Sequence, residues 1–311
     1  MKPGFRIAPV PLSQVRFDDA FWAPRIEVNR TATIPAVYRQ IKQTGRIDAF
    51  HLAWKPGMPN PPHQFWDSDV AKWLEAVGYS LASRPDRKLE TLADGVIHLI
   101  CRAQQKDGYL NTHYTVVEPD KRWKDLRSGH ELYCAGHLME AAVAYAQATG
   151  KRTLLEALCR YADYIGKVFG RGAGQLRGYP GHEEVELALV KLYRTTGERR
   201  YLDLAQYFID ERGRDPKYFQ RESPGAWKPT VRGGPPGDWC QAHAPVREQV
   251  AAEGHSVRAM YLFSAMADLA GETGDKSLLA ACRRLWDSVT SRRMYVTGGV
   301  GSWDRLGGIF E

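Results

Sequence analysis

GHEEVELALVKLYRTTGERRYLDLAQYFID, residues 181–210, is the stretch whose reading decides the fold. Val185, Ala188, Leu189, Leu192 and Tyr193 recur at helical spacing before the break Thr195-Thr196-Gly197-Glu198, and Tyr201, Leu204, Ala205, Phe208 and Ile209 do so after it. Apolar residues at i, i+3, i+4 and i+7 on both sides of a Thr-Gly step describe two amphipathic helices joined by an elbow, with glycine as the left-handed C-cap. Ala148-Thr149-Gly150-Lys151 and Glu272-Thr273-Gly274-Asp275 are close relatives of that elbow, and Ser83-Arg84-Pro85-Asp86 is a fourth break. Val70, Trp73, Leu74, Val77 and Leu81 line a face before this last break. Leu154, Leu158, Tyr161, Ala162, Ile165 and Phe169 follow Gly150, and Leu279, Cys282, Leu285, Trp286 and Val289 follow Gly274. The pattern predicts stacked αα-hairpins, preceded by an unpaired helix around Arg25 to Lys42.

Gly150 and Gly197 are 47 residues apart, whereas Gly197 and Gly274 are 77 apart. The extra length, roughly 30 residues, falls in a Pro/Gly/Trp-rich loop from Gly213 to Glu253, longer than a connector requires and therefore a place to look for function. The domain reading is an extended segment over residues 1–24 followed by one helical domain over 25–311.

The 311 residues are 43% hydrophobic, with 43 Lys+Arg against 36 Asp+Glu. That composition excludes disordered, collagenous and disulfide-scaffold classes. The net charge of +7 is spread along the chain, so it favours neither nucleic acid nor a membrane as partner. Cys101, Cys134, Cys159, Cys240 and Cys282 are odd in number and lack paired spacing, which reads as thiols of a cytoplasmic protein. No apolar stretch approaches the ~18 to 20 residues of a membrane span, and the first residues have no signal-like core.

A second repeat marks the other end of the hairpins. Gly129-His130, Gly181-His182 and Gly254-His255 each precede the first helix of a unit, and the first unit carries Asp67-Ser68-Asp69 at the corresponding place. Helix capping alone explains any one of these polar residues, but three Gly-His steps in register are harder to assign to capping. Closing the hairpins into a ring would bring them to one mouth. The loops at that end hold Gln104-Gln105-Lys106-Asp107-Gly108-Tyr109, Gly178-Tyr179-Pro180 and Tyr295-Val296-Thr297-Gly298-Gly299. Fixed donors and acceptors beside aromatic faces suit neutral sugars. No P-loop or Arg cluster supports phosphate, and no HExxH or paired-Cys spacing supports a metal.

The strings FWDSDVAKWLEA, AQQKDGYLNT, SGHELYCAGHLMEAAVAY, GHEEVELALVKLYRTTGERRYLDLAQYFID, EGHSVRAMYL and RRMYVTGGVGS, in order from about Phe21 to about Ser302, resemble the β-L-arabinofuranosidase family, glycoside hydrolase family 127. The resemblance implies an all-α, incomplete (α/α)6 toroid of αα-hairpins whose mouth holds a furanose. It implies that His130, His182 and His255 contact the sugar and that Asp67, Asp69, Gln105 and Tyr109 lie near it. The partner it implies is an arabinose-containing oligosaccharide or glycoconjugate; self-association of the chain stays open.

The family hydrolyses terminal β-L-arabinofuranosides with retention, using a glutamate acid/base and a zinc-held cysteine thiolate. The motifs carrying those groups have no match here, where the sequence reads Gly301-Ser302-Trp303-Asp304-Arg305-Leu306-Gly307-Gly308-Ile309-Phe310-Glu311. The expectation is a C-terminally shortened domain, roughly two hairpins of about 47 residues short, with the sugar-holding half of the site, no catalytic residue and no zinc ligand. Asp304 and Glu311 are the carboxylates nearest the missing acid. Two alternatives stand beside this one: another (α/α)6 enzyme of unsaturated glucuronyl hydrolase or epimerase type, with Asp67, Asp69 and His182 as its candidates, and a non-catalytic helical-repeat glycan-binding module.

Overall fold

The computed structural model describes residues 9–222, 239–301 and 308–310. Among them the regular structure is helical, and extended pairing is confined to isolated bridges such as His255 with Ile309. None of these helices is long and apolar enough to cross a membrane. Asp304, Glu311 and residues 223–238 of the long loop lie outside the described residues. Chain contacts divide the protein into one compact unit of residues 7–122 and 137–165 and another of 1–6, 123–136 and 166–311.

In the first unit, α1 (Trp22–Val28) and α2 (Ile34–Gln43) are joined by a π-helical turn, Asn29–Thr33. Pro35 stands at the start of α2, and its missing N–H removes the bond that would return to the Thr31 carbonyl, which accounts for the wide turn. Helix α3 (Trp66–Ser83) buries Val70, Trp73, Leu74, Val77 and Leu81, the face read from the sequence. Asp86 then caps α4 (Arg87–Ala103), its carboxylate accepting from the Lys88 and Leu89 amides at 3.0 and 3.1 Å. A short α5 (His113–Val116) precedes α6 (Glu131–Thr149), whose residues from His137 onward belong to this unit together with most of α7 (Thr153–Val168).

The second unit contains the start of α6, then α8 (Val185–Thr196), α9 (Arg199–Glu211), the short α10 (Tyr218–Glu222), α11 (Ser256–Thr273) and α12 (Lys276–Arg292). Helix α8 packs against α9, and α11 packs against both α12 and α8. The Thr-Gly elbows form as expected: Gly150, Gly197 and Gly274 take φ of 76°, 77° and 72°, and each donates its N–H four residues back. The preceding Thr149, Thr196 and Thr273 hydroxyls donate to carbonyls of the last turn at 2.7, 2.8 and 2.7 Å.

One face differs from the reading. Helix α12 buries Leu278, Ala281, Leu285, Ser288 and Val289, while Leu279 and Trp286 are 42% and 68% exposed. The stripe that meets α11 starts one residue earlier than the apolar pattern suggested, because Ala281 and Ser288 are small enough for close packing and Ser288 supplies a hydroxyl to the Ala252 amide at 3.0 Å.

Helices α3 and α6 approach closely at Gly78, where a Cβ would lie 2.9 Å from the Ala144 carbonyl carbon and 3.0 Å from the Tyr145 nitrogen. Gly78→Ala is expected to lower unfolding free energy by about 1–3 kcal/mol in urea titrations. Gly95→Ala, on α4 with nothing within 4 Å of the added atom, is expected to raise it by about 0.5–1 kcal/mol. Equal stability of Gly78→Ala and wild type would refute the close packing of α3 on α6.

Candidate functional site

The three Gly-His steps converge within the second unit. His182 lies between the other two, its ring centroid 5.8 Å from His130 and 6.1 Å from His255. Tyr133 packs 4.3 Å from His182 and edge-on to His130, Tyr261 is 5.9 Å from His182, and Trp239 is 5.1 Å from His255. Tyr133 and Tyr261 sit one turn into α6 and α11, three and six residues after the histidines that open those helices.

Local backbone fixes each ring. His255 is the N-cap of α11, and its Nδ1 accepts from the Arg258 amide at 3.4 Å, so the ring proton is on Nε2. His182 Nδ1 is 2.8 Å from the Glu183 carbonyl and must donate to it, leaving the lone pair on Nε2. His130 Nδ1 likewise meets the Ser128 carbonyl. His130 holds φ at 60°, a left-handed conformation that costs a non-glycine residue about 1–3 kcal/mol and that aims its ring from the turn before α6. His255 thus offers an Nε2 donor and His182 an Nε2 acceptor beside the His130 ring, a set matched to hydroxyls that both give and take protons.

Burial and charge keep His182 and His255 neutral. Desolvation pushes the His182 pKa far below its usual value, with the Arg258 cation adding to the effect, and the same two causes lower His255 to about 4. Arg258 lies beneath them, donating to the Gly181 carbonyl at 2.7 Å with the Cys240 sulfur at 3.2 Å. Next to it the fully buried Arg212 pairs with Glu183 at 2.9 Å and Glu186 at 3.1 Å, and donates to the carbonyls of Cys240 and Pro180 at 2.8 and 2.7 Å. Burial raises the Glu183 pKa against the pull of Arg212.

The second half of the long loop is part of this construction. Gln241 donates to the Glu253 and His255 carbonyls at 2.7 and 3.2 Å, Gln249 donates to the Gln241 and Ala244 carbonyls at 2.8 and 2.9 Å, and Trp239 is thereby held on His255. In the other half, Glu222 accepts from the Leu126 and Arg127 amides, both at 2.9 Å. Gly181 presses so closely on Arg127 that a Cβ would come 2.2 Å from its carbonyl oxygen.

The remaining sequence candidates lie in the first unit and are engaged by protein groups. Asp67 is buried, accepting from the Thr112 amide and hydroxyl at 2.8 and 2.6 Å, and burial raises its pKa to about 6. Asp69 pairs with Arg46 at 2.6 Å. Gln105 donates to Thr115 at 3.0 Å and accepts from Arg122 at 2.9 Å. Tyr109 is fully buried among Tyr161, Tyr164 and the Arg122 guanidinium, which covers its ring at 3.6 Å. Arg212, Arg258, Trp239, Tyr133 and Tyr261 were not singled out from the sequence. Arg258 and Tyr133 had a signal, since each stands three residues after a Gly-His histidine, whereas Arg212 and Trp239 are joined by tertiary contacts alone.

The five cysteines are free thiols, and burial raises the pKa of Cys101, Cys240 and Cys282, the last to about 11. Among the described residues the metal-ligating side chains that lie together are Glu75, His137 and Glu140.

The sequence and the fold have known relatives. Residues 14–307 match the GH127 catalytic domain of β-L-arabinofuranosidases. A non-reducing end β-L-arabinofuranosidase of Bifidobacterium longum subsp. longum is 44% identical over 253 residues, 76% of this chain and 37% of that protein. A crystal structure of a GH127 β-L-arabinofuranosidase from Geobacillus stearothermophilus T6 superposes with a TM-score of 0.90 at 52% identity, over 96% of this chain and 48% of that one. A second solved GH127 β-arabinofuranosidase gives 0.87 at 38% identity, over 99% and 47%. The chain spans less than half the length of these relatives, and it shares their (α/α)6-type helical fold.

The histidine environment has a pH signature. Both His182 and His255 bind protons more weakly folded than unfolded, so their contribution to stability is present above about pH 6.5 and is lost as pH falls toward 4. Glu183, with its raised pKa, acts in the opposite sense. His255→Gln is expected to flatten the acid limb of unfolding free energy against pH, with its deficit relative to wild type shrinking by on the order of 2 kcal/mol between pH 7 and 4.5. A deficit that does not change with pH would show that His255 is not held neutral.

Proposed function

Because this chain belongs to the GH127 β-L-arabinofuranosidase catalytic-domain family, we propose that residues 1–311 form the sugar-holding part of a glycosidase site and bind a terminal β-L-arabinofuranosyl unit. The observation that carries this reading is the convergence of His130, His182 and His255, with His182 and His255 held neutral, flanked by Tyr133, Tyr261 and Trp239. The His182 Nε2 acceptor and the His255 Nε2 donor take furanose hydroxyls, and the aromatic rings cover the apolar face of the sugar. Neutrality matters because an imidazolium would lose the acceptor.

Bond cleavage is a separate matter. Retaining hydrolysis needs an acid/base and a nucleophile on the two sides of the anomeric carbon. Within the trio's surroundings the carboxylates Glu183 and Glu186 are committed to Arg212, and Cys240 is a buried thiol whose pKa burial raises. Our reading is therefore that residues 1–311 bind without turnover. The partner is an arabinose-containing oligosaccharide or glycoconjugate, and the setting is cytoplasmic. Glucuronyl hydrolase or epimerase chemistry would rest on Asp67 and Asp69, which Thr112 and Arg46 already occupy.

Titration calorimetry of the 311-residue chain with methyl β-L-arabinofuranoside should give saturable heat, and His182→Ala should weaken binding at least about 10-fold. An aryl β-L-arabinofuranoside should not be hydrolysed by the same chain. Absence of saturable heat in a folded sample would overturn the binding reading; zinc-dependent turnover by these residues alone would overturn the division between binding and cleavage.

A further inference from the structure

Helices α3 and α6 carry a second polar cluster, in the first unit and remote in sequence from the Gly-His steps. Glu75 comes from α3, and His137 and Glu140 come from one turn of α6 at i and i+3. One ligand atom from each lies within 4.8 Å of the other two. His137 is 2% exposed and Glu140 6%, so a buried imidazole and a buried carboxyl group are gathered beside the half-buried carboxyl group of Glu75.

The packing explains why they meet. Gly78, one turn after Glu75, touches the backbone at Ala144 and Tyr145, one turn after Glu140. The two helices therefore run in the same direction and in register, and the missing side chain at residue 78 draws their backbones together at the level of the cluster. Tyr79 reports on the same pair of charges: its hydroxyl donates to Glu75 at 2.9 Å, and its pKa is raised by burial first and then by Glu75 and Glu140.

Two carboxylates brought together out of water repel unless a proton or a cation lies between them. The donor set of one imidazole nitrogen and two carboxylate oxygens selects among cations. Magnesium and calcium favour all-oxygen shells, whereas zinc takes nitrogen and oxygen at roughly 2.0–2.2 Å, which places ligand atoms around one ion at separations compatible with this cluster. We propose that Glu75, His137 and Glu140 form a binding site for a divalent cation of zinc type, which ties α3 to α6 and leaves its other coordination positions to water.

The test is calorimetric titration of the chelator-stripped 311-residue chain with Zn²⁺, beside Glu75→Gln and His137→Ala. The expected result is one ion per chain and at least about 10-fold weaker binding in each variant. Co²⁺ in place of Zn²⁺ should give visible ligand-field bands without the near-ultraviolet charge transfer of a thiolate ligand. If His137→Ala fails to fold, Glu75→Gln decides the matter, since its side chain is only half-buried and its change is isosteric. No saturable binding, unchanged affinity in Glu75→Gln, or a strong thiolate-to-cobalt band would each overturn the proposal.

Discussion

A guanidinium with no exposed surface, Arg212, meets Glu183 and Glu186 at the entry to α8 and reaches two carbonyls, those of Pro180 before the Gly-His step and Cys240 in the long loop. An uncompensated charge at such depth would cost several kcal/mol, so each partner constrains the rest. The strand of chain from Pro180 to Glu186 has no freedom to move His182, and the loop bearing Cys240 has no freedom to withdraw Trp239. Arg258 adds a second cation to the same cluster through the Gly181 carbonyl. His182 and His255 sit on this charged base, and Arg258 helps keep them unprotonated.

The fold was readable because helical hairpins are local. Periodicity and the Thr-Gly elbows depend on residues a few positions apart, and the elbows appear where the sequence put them. The rotation of α12 was not readable: Leu279 and Trp286 are apolar, but the helix turns Ala281 and Ser288 inward because small residues let it approach its neighbour. Apolar character marks a candidate face, whereas packing chooses among overlapping ones.

The site was half readable for a related reason. His130, His182 and His255 stood out by repetition, and repetition of a helix start is a local signal. Arg212 and Trp239 are separated by a loop of unusual composition, and no pattern ties either to a histidine; their roles come from contacts that exist only after folding. Asp67, Gln105 and Tyr109 sat in motifs resembling a sugar pocket, yet each has a protein partner within its own unit. A motif fixes which residues are kept together, and the partners found in the structure show that part of this one maintains the loop that carries it.

Gly150, Gly197 and Gly274 have open space where a side chain would begin. What these elbows demand is therefore a handedness of the backbone and not a small volume. A D-alanine there would satisfy the same torsion, remove some freedom from the unfolded chain and touch nothing. The repeated elbow is in this sense an achiral compromise: the ribosome has no mirror-image residue to offer, and glycine is the genetically encoded residue closest to one.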